Sequence, residues 1–76
     1  MSRTYSPARL RAARERAGMP VAAVCLKIHR SPETVSSYER GRVMPPVDVL
    51  VRLADLYSVS VDDLLDDRLA AGGGAQ

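Results

Sequence analysis

The sequence predicts a small all-α domain of five helices, and three observations support this prediction. Apolar residues recur at helical spacing along most of the chain. Several segments begin and end with the residues that favour helix termini. The 76 residues include three Tyr and no Phe or Trp, so strand-favouring aromatic side chains are scarce. A chain of this length forms one domain.

The third helix has the clearest boundaries in the sequence. Ser31 is a good N-cap, Pro32 suits the first helical position, and Gly41 suits a left-handed C-terminal cap. Val35 and Tyr38 lie three residues apart and face inward. The opposite face is small and polar and consists of Pro32, Glu33, Ser36, Ser37 and Arg40, with Arg42 following. Such a face suits contact with a polar, negatively charged surface.

The first helix carries the same kind of start signal. Ser6 and Pro7 open it and Gly18 ends it, which predicts a helix over about residues 7–17. Its apolar stripe consists of Leu10, Ala13 and Ala17. Arg14 lies beside this stripe, where a charge needs a partner.

The second helix begins near Pro20. Its inward face repeats at helical spacing and consists of Val21, Val24, Cys25 and Ile28. We expect His29 and Arg30 to turn the chain before Ser31. Such a turn often needs a positive φ, which His tolerates less easily than Gly does.

The fourth and fifth helices follow a stiff linker that contains Pro45 and Pro46. Pro46 opens the fourth helix, whose apolar face consists of Val47, Leu50, Val51, Leu53, Ala54 and Tyr57. Ser60 and Asp63 are spaced as in a capping box and predict a short fifth helix that contains Leu64 and Leu65 and ends at residues 66–68.

The predicted organisation has three parts. Residues 1–6 form an N-terminal arm, residues 7–68 form the helical domain, and residues 69–76 form a flexible Gly-rich tail.

Charge divides the chain into two halves, although the net charge is only +2. Residues 1–42 hold nine Arg and Lys against three Glu, a net of +6, whereas residues 43–76 hold two Arg against six Asp, a net of −4. The basic half contains the third helix. A basic face on a small helical domain is typical of nucleic-acid binding, and a solvated helix surface is the simpler alternative.

Two helices joined by a tight turn, the second of them with a polar outward face, form a helix-turn-helix. The segment from Gly18 to Gly41, the Tyr38-Glu39-Arg40-Gly41 ending, Pro45, and Val59 to Leu65 resemble the phage-repressor and Cro-type (XRE-like) helix-turn-helix family over about residues 7–66. The resemblance implies a five-helix lambda-repressor-like fold, with helices two and three as the motif. It also implies sequence-specific binding of double-stranded DNA, usually as a homodimer.

The resemblance implies that Pro32, Glu33 and Ser37 reach bases. The full set of residues expected at a DNA interface is Lys27, Arg30, Ser31, Pro32, Glu33, Thr34, Ser36, Ser37, Arg40 and Arg42. The four cations of this set would contact phosphates, and Glu33 could accept a hydrogen bond from a cytosine amine. Arg14 and Glu39 are expected to form a structural ion pair, because each lies beside an apolar stripe and relatives often pair these positions.

The sequence departs from the family at several positions. Pro20 and Val21 replace the usual Ser or Thr and Gln, and His29 replaces the turn glycine. The base-contact positions lack Arg, Gln and Asn, which are the usual bidentate readers.

The leading prediction is a DNA-binding transcriptional regulator that acts by operator occupancy. The alternative is an antitoxin-like or adaptor module for protein interactions, with weak DNA binding on the same fold. The acidic second half, the exposed position of Leu26 and the missing Gln favour this alternative. For a homodimer on DNA, the expected contact surface consists of Leu64, Leu65 and Leu69.

Other chemistry has little support in the sequence. Cys25 and His29 are four residues apart, but structural zinc needs four ligands, and a core thiol with a turn histidine explains both. The acidic cluster of Asp62, Asp63, Asp66 and Asp67 lacks the spacing and glycine of a calcium loop. We therefore expect no metal, no cofactor and no enzyme. No apolar run reaches about 18 residues, and a single Cys fits a reducing cytoplasm.

Overall fold

The computed structural model describes residues 2–68, and it describes side chains from residue 4 to residue 66. Four α-helices make up most of it: α1 (Pro7–Arg16), α2 (Val21–Ile28), α3 (Pro32–Arg40) and α4 (Val47–Leu56). A single turn of 3-10 helix (Asp62–Leu64) comes after α4 in the chain. Two short strands, β1 (Ser2–Tyr5) and β2 (Leu65–Arg68), flank the helices. The predicted helical character is confirmed for four helices.

The helix termini form as their sequences predict. Ser6 Oγ accepts from the backbone N–H of Arg9 at 3.3 Å, and Ser31 Oγ accepts from that of Thr34 at 3.2 Å. Gly41 ends α3 with a φ of 77°. A Cβ at Gly41 would also lie 3.0 Å from Pro7 Cγ, so only glycine fits between α3 and the start of α1 without displacing Pro7.

The core gathers side chains from every helix and from both ends of the described chain. Its buried members are Tyr5, Leu10, Ala13, Val24, Ile28, Val35, Tyr38, Val49, Leu50, Leu53, Ala54, Tyr57 and Leu64. Helix α3 packs against both α1 and α2, and α4 packs against α2. These contacts leave the opposite face of α3 in solvent.

The predicted apolar face of α4 needs a correction. Val47 and Val51 are 74% and 43% exposed, whereas Val49, absent from the prediction, is fully buried. The buried face is centred on Leu53, and at 3.6 residues per turn Val47 and Val51 lie about 120° and 160° away from it. Ala17 in the predicted stripe of the first helix is also exposed, because α1 ends at Arg16.

The predicted fifth helix is wrong. The Ser60 and Asp63 capping box forms in both directions, with two hydrogen bonds of 3.1 Å, and the Ser60 N–H lowers the pKa of the Asp63 carboxyl. The cap is succeeded by only one turn, because Leu65 is extended, with a φ of −111° and a ψ of 155°. From Leu65 onwards the backbone pairs with β1 instead of continuing the helix. A fifth helix of a few residues would also be only marginally stable without tertiary packing.

Strands β1 and β2 are antiparallel, with Ser2 opposite Arg68 and Tyr5 opposite Leu65. The backbone N–H of Ser6 extends the pairing to the Leu64 carbonyl at 2.9 Å. Residues 2–5, assigned from the sequence to an arm, therefore belong to the folded unit. The predicted tail at residues 69–76 lies outside the described residues. Within the described part of the chain, no helix has the length and apolar content that crossing a membrane requires.

Candidate nucleic-acid interface

The geometry of α3 is set first by the turn that joins it to α2. His29 ends α2 in the left-handed region, with a φ of 57° and a ψ of 48°, as the sequence predicts for this turn. Its backbone N–H and that of Arg30 both donate to the Cys25 carbonyl. Two residues later Ser31 caps α3, so the two helices are joined with little slack.

An ion pair fixes α3 to α1. Arg14 Nε donates to Glu39 Oε2 at 2.6 Å, and Arg14 Nη2 donates to Glu39 Oε1 at 3.2 Å. This is the bidentate geometry in which an Arg guanidinium binds a carboxylate strongly. The side chains are only 13% and 9% exposed. Arg14 Nη1 donates in addition to the Met19 carbonyl at 2.9 Å. The hydrogen bond to Glu39 raises the pKa of the Arg14 guanidinium above its usual value, so the pair stays charged.

A tyrosine from β1 holds the last turn of α3. The Tyr5 hydroxyl donates to the Tyr38 carbonyl at 2.7 Å, and that carbonyl also accepts from the Gly41 N–H at 3.2 Å. Burial raises the pKa of Tyr5 well above its usual value, and the nearby charge of Glu39 adds to this effect. The sequence contains no signal for the Tyr5 hydrogen bond, because it joins two residues that are 33 positions apart along the chain.

The outward face of α3 forms two adjoining depressions that share Glu33 and Ser37. One is lined by Glu33, Ser36, Ser37, Arg40 and Arg42. The other is lined by Ser31, Glu33, Thr34, Ser37 and Val43. Seven of the ten residues predicted for a DNA interface therefore lie together here, and the exposed Pro32 opens the same helix.

A family comparison agrees with this geometry. A family model described as a helix-turn-helix domain matches residues 8–67. The chain belongs to the helix-turn-helix domain family. This confirms the resemblance read from the sequence.

A curated relative extends the comparison. The HTH-type transcriptional regulator ImmR of Bacillus subtilis (strain 168) is 39% identical over 57 residues. The match covers 75% of this chain and 45% of ImmR, so the chain spans less than half the length of that relative.

Within the helix-turn-helix, α2 is the first helix and α3 is the second, which is the position called the recognition helix in this motif. Two residues at the start of α3 are already engaged, because Ser31 Oγ and Thr34 Oγ1 lie 2.9 Å apart in addition to their capping bond. They position the recognition helix in the free protein. The polar atoms left for a ligand in its first turns belong to Glu33, Ser36 and Ser37.

Arg30 and Lys27 lie apart from these depressions. The Arg30 guanidinium folds back and donates to the His29 carbonyl at 3.1 Å and the Ile28 carbonyl at 3.4 Å, so it stabilises the end of α2. Lys27 lines a separate depression between α2 and α4, together with Arg52 and Asp55. Both would have to reorient or lie under a different part of a DNA backbone.

The DNA interface predicted from the sequence did not include Arg11 or Val43, although the sequence places Arg11, with Arg9 and Arg16, on the side of the first helix that faces water or a phosphate backbone. Arg11 lines a polar notch between α1 and α3 with Ser36 and Arg40, beside the Arg14–Glu39 pair. The signal for Arg11 in the sequence is its position off the apolar stripe of the first helix. Among residues 2–68, no three His, Cys, Asp or Glu side chains lie close enough together to hold a metal ion.

Proposed function

We propose that this helix-turn-helix domain binds double-stranded DNA in a sequence-specific manner and regulates transcription by occupying an operator. The observation that carries this proposal is the polar depression on α3. Glu33, Ser36 and Ser37 offer hydrogen-bonding groups there, and Arg40 and Arg42 lie at its end. The similarity to ImmR, a transcriptional regulator, supports the same function.

The first turns of the recognition helix would enter the major groove. Glu33 has only acceptor oxygens, so it suits the N4 amine of a cytosine, and Ser37 can donate or accept. Pro32 would contribute an apolar contact. Base readout would then rest on short side chains and one carboxylate, which favours modest discrimination by a single domain.

Arg40 and Arg42 would contact phosphates where the backbone passes the end of α3, and Lys27 and Arg30 would contact further phosphates after reorientation. Because α3 is held by Arg14, Glu39 and Tyr5, its face needs little ordering when DNA arrives. Rigidity of this kind reduces the entropic cost of binding.

One recognition helix reads few base pairs, so the proposed operator complex is a homodimer. Its recognition helices would lie about 34 Å apart, in successive major grooves. The dimer contact surface expected from the sequence is less accessible than predicted, however. Leu64 is fully buried in the core of its own chain, Leu65 packs partly against that core, and Leu69 lies outside the described residues.

A salt titration of binding to random duplex DNA tests the phosphate contacts. Four to six contacts predict a log–log slope of about −4 to −5. Arg42→Ala should weaken binding to all sequences equally and reduce this slope by roughly one contact. Arg16→Ala, which removes an exposed cation that lines neither depression of α3, serves as the comparison.

The rival function is a protein-interaction module with weak DNA binding, and Leu26 favours it, because this α2 side chain is 78% exposed. Binding that is undetectable or independent of salt would support the rival. Selection of bound sites from a random DNA pool would then recover no common sequence.

A further inference from the structure

The polar notch between α1 and α3 has the size and charge of an anion site. Its lining consists of Arg11 and Arg14 from α1 and of Ser36, Glu39 and Arg40 from α3, and we name these five residues the arginine notch. The notch encloses about 220 Å³, which is less than the roughly 300–1,000 Å³ of pockets that enclose a drug-sized ligand. At about 30 Å³ per water molecule, it has room for one small anionic group and a few waters.

The charges of the arginine notch favour an anion. Three guanidinium groups lie around one carboxylate, a net of +2. That carboxylate belongs to Glu39 and already accepts two hydrogen bonds from Arg14 in the nearly buried ion pair, so its charge is compensated within the floor of the notch. The positive charge that a ligand would meet therefore comes from Arg11 and Arg40.

The hydrogen-bond donors around the notch are available to a ligand. Within the described part of the chain, the Arg40 guanidinium and the Ser36 hydroxyl make no hydrogen bond or ion pair. Arg11 is engaged through Nε, which donates to Glu15 Oε2 at 3.2 Å, in a pair whose side chains are 63% and 55% exposed. Exposed pairs of this kind are weak, so an anion in the notch can replace Glu15.

The structure separates Arg11 from the other exposed arginines of α1. Arg9 donates to Asp66 at 3.4 Å, and Arg16 lines neither the arginine notch nor the two depressions on α3. Arg11 shares the notch with Ser36 and Arg40, and those two residues also line the depression that contains Glu33 and Ser37. An anion in the notch would therefore lie directly beside the face proposed to read bases.

We propose that the arginine notch binds one phosphate group, with Arg11 and Arg40 donating to its oxygens from two helices and Ser36 donating a third hydrogen bond. Guanidinium donors match the geometry of phosphate oxygens. The backbone of a duplex bound to α3 supplies this phosphate, and this source rests on the proposed function. The start of α2 has no polar side chain for the same task, because Pro20 and Val21 occupy it. A free phosphate ion is the other source of the same chemistry.

Binding to random duplex DNA tests the backbone as the source. Arg11→Ala should weaken binding to all sequences equally, by roughly three- to tenfold, since it loses hydrogen bonds to a charged group. Arg16→Ala is the matched control, because it removes the same charge from an exposed position on the same helix and should bind like the parent. Circular dichroism checks that each variant is folded, and Arg14 and Glu39 stay unchanged because they hold α1 to α3.

A double-mutant cycle tests whether two arginines hold one phosphate. Arg11→Ala combined with Arg40→Ala should bind at least about twofold more tightly than the product of the single effects predicts, because the two side chains share a partner. The same double variant should reduce the log–log salt slope by about 0.9, which is one phosphate contact and not two. Arg11→Ala combined with Arg42→Ala should show multiplied effects. Effects of Arg11 and Arg40 that simply multiply would overturn the shared site.

Inorganic phosphate tests the site without DNA. In NMR spectra of the Nε–H groups, phosphate should shift the Arg11 and Arg40 signals to saturation, unlike sodium chloride of equal ionic strength, and Arg11→Ala should abolish the shift at Arg40. If this response is present but Arg11→Ala binds DNA as Arg16→Ala does, the site stands and a free ion is its ligand. Absence of both effects overturns the proposal. A parent that binds no duplex refutes the proposed function, and the phosphate titration then decides the site.

Discussion

Removing the Glu39 carboxylate should remove most of the domain's free energy of unfolding. In the Glu39→Ala variant, the Arg14 guanidinium loses both carboxylate hydrogen bonds and keeps only the one to the Met19 carbonyl. The Arg14 side chain is 13% exposed, so water can replace little of what is lost. The variant therefore contains a nearly buried charge without a counter-ion.

The expected cost is set by this burial. Breaking a buried ion pair by removing one partner costs roughly 3–5 kcal/mol, mostly because the remaining charge is stranded. A domain of this size has a total stability of about 3–5 kcal/mol. Glu39→Ala should therefore have a free energy of unfolding close to zero at 25 °C, although none of the residues proposed to contact DNA is changed. Arg14→Met combined with Glu39→Leu should be more stable than either single variant, because no charge is then stranded.

Urea unfolding followed by circular dichroism measures these differences. Glu15→Ala is the matched control, because Glu15 accepts from Arg11 Nε at 3.2 Å in an ion pair whose side chains are 55% and 63% exposed. Exposed pairs contribute about 0–1 kcal/mol, so the control should stay close to the parent. If Glu39→Ala were as stable as Glu15→Ala, the reasoning from burial would be refuted.

Two further predictions concern the interface and the core. Glu33→Ala should strengthen binding to random DNA, by removing a like charge, and lose discrimination at one base pair by roughly 1–3 kcal/mol; competition with single-base site variants measures both, and an unchanged base preference would exclude Glu33 as a reader. Burial, aided by the charge of Glu39, raises the pKa of Tyr57 from 10.0 to about 12. The stability that this shift contributes is intact below pH 10. It is lost as the pH rises from 10 towards 12, because the tyrosine of the unfolded chain deprotonates first. Tyr57→Phe should flatten this loss and cost at most about 1 kcal/mol at pH 7, since the hydroxyl has no hydrogen-bond partner among the described residues; a steeper loss above pH 10 than in the parent would contradict it.

The parts of the fold that the sequence predicts well are those determined locally. Ser6, Ser31 and Gly41 act within one turn of their own helices, so their residue types suffice to place the ends of α1 and α3. The Arg14–Glu39 contact could also be predicted, because a charge next to an apolar stripe is stable only with a partner of opposite charge. Local chemistry and the avoidance of stranded charge explain both results.

The parts that could not be predicted depend on distant segments. The Ser60 and Asp63 cap is present, but the conformation of the chain beyond it is decided by residues 2–5, which pair with the backbone from Leu65 onwards. The same pairing delivers Tyr5 to the end of α3. In α4, both faces carry Val and Leu, so composition alone could not fix which one is buried, and the position of Leu53 against the rest of the core decided it.

The departures from the family pattern at α2 affect which helices would contact DNA. Val21 could not bind a phosphate as the usual Gln would, and the left-handed conformation of His29 strains the turn, so we expect α2 to contribute less to the proposed DNA contact than the family pattern implies. The Arg30 hydrogen bonds to the Ile28 and His29 carbonyls offset part of that strain, but they also occupy a cation expected at DNA. In addition to the packing of α2, the hydrogen bonds of Arg14 and Tyr5 fix α3 to α1 and β1. Of the cations proposed to contact phosphates, Arg40 and Arg42 lie together at the end of α3, so Arg42→Ala should reduce the salt dependence of binding by roughly one contact.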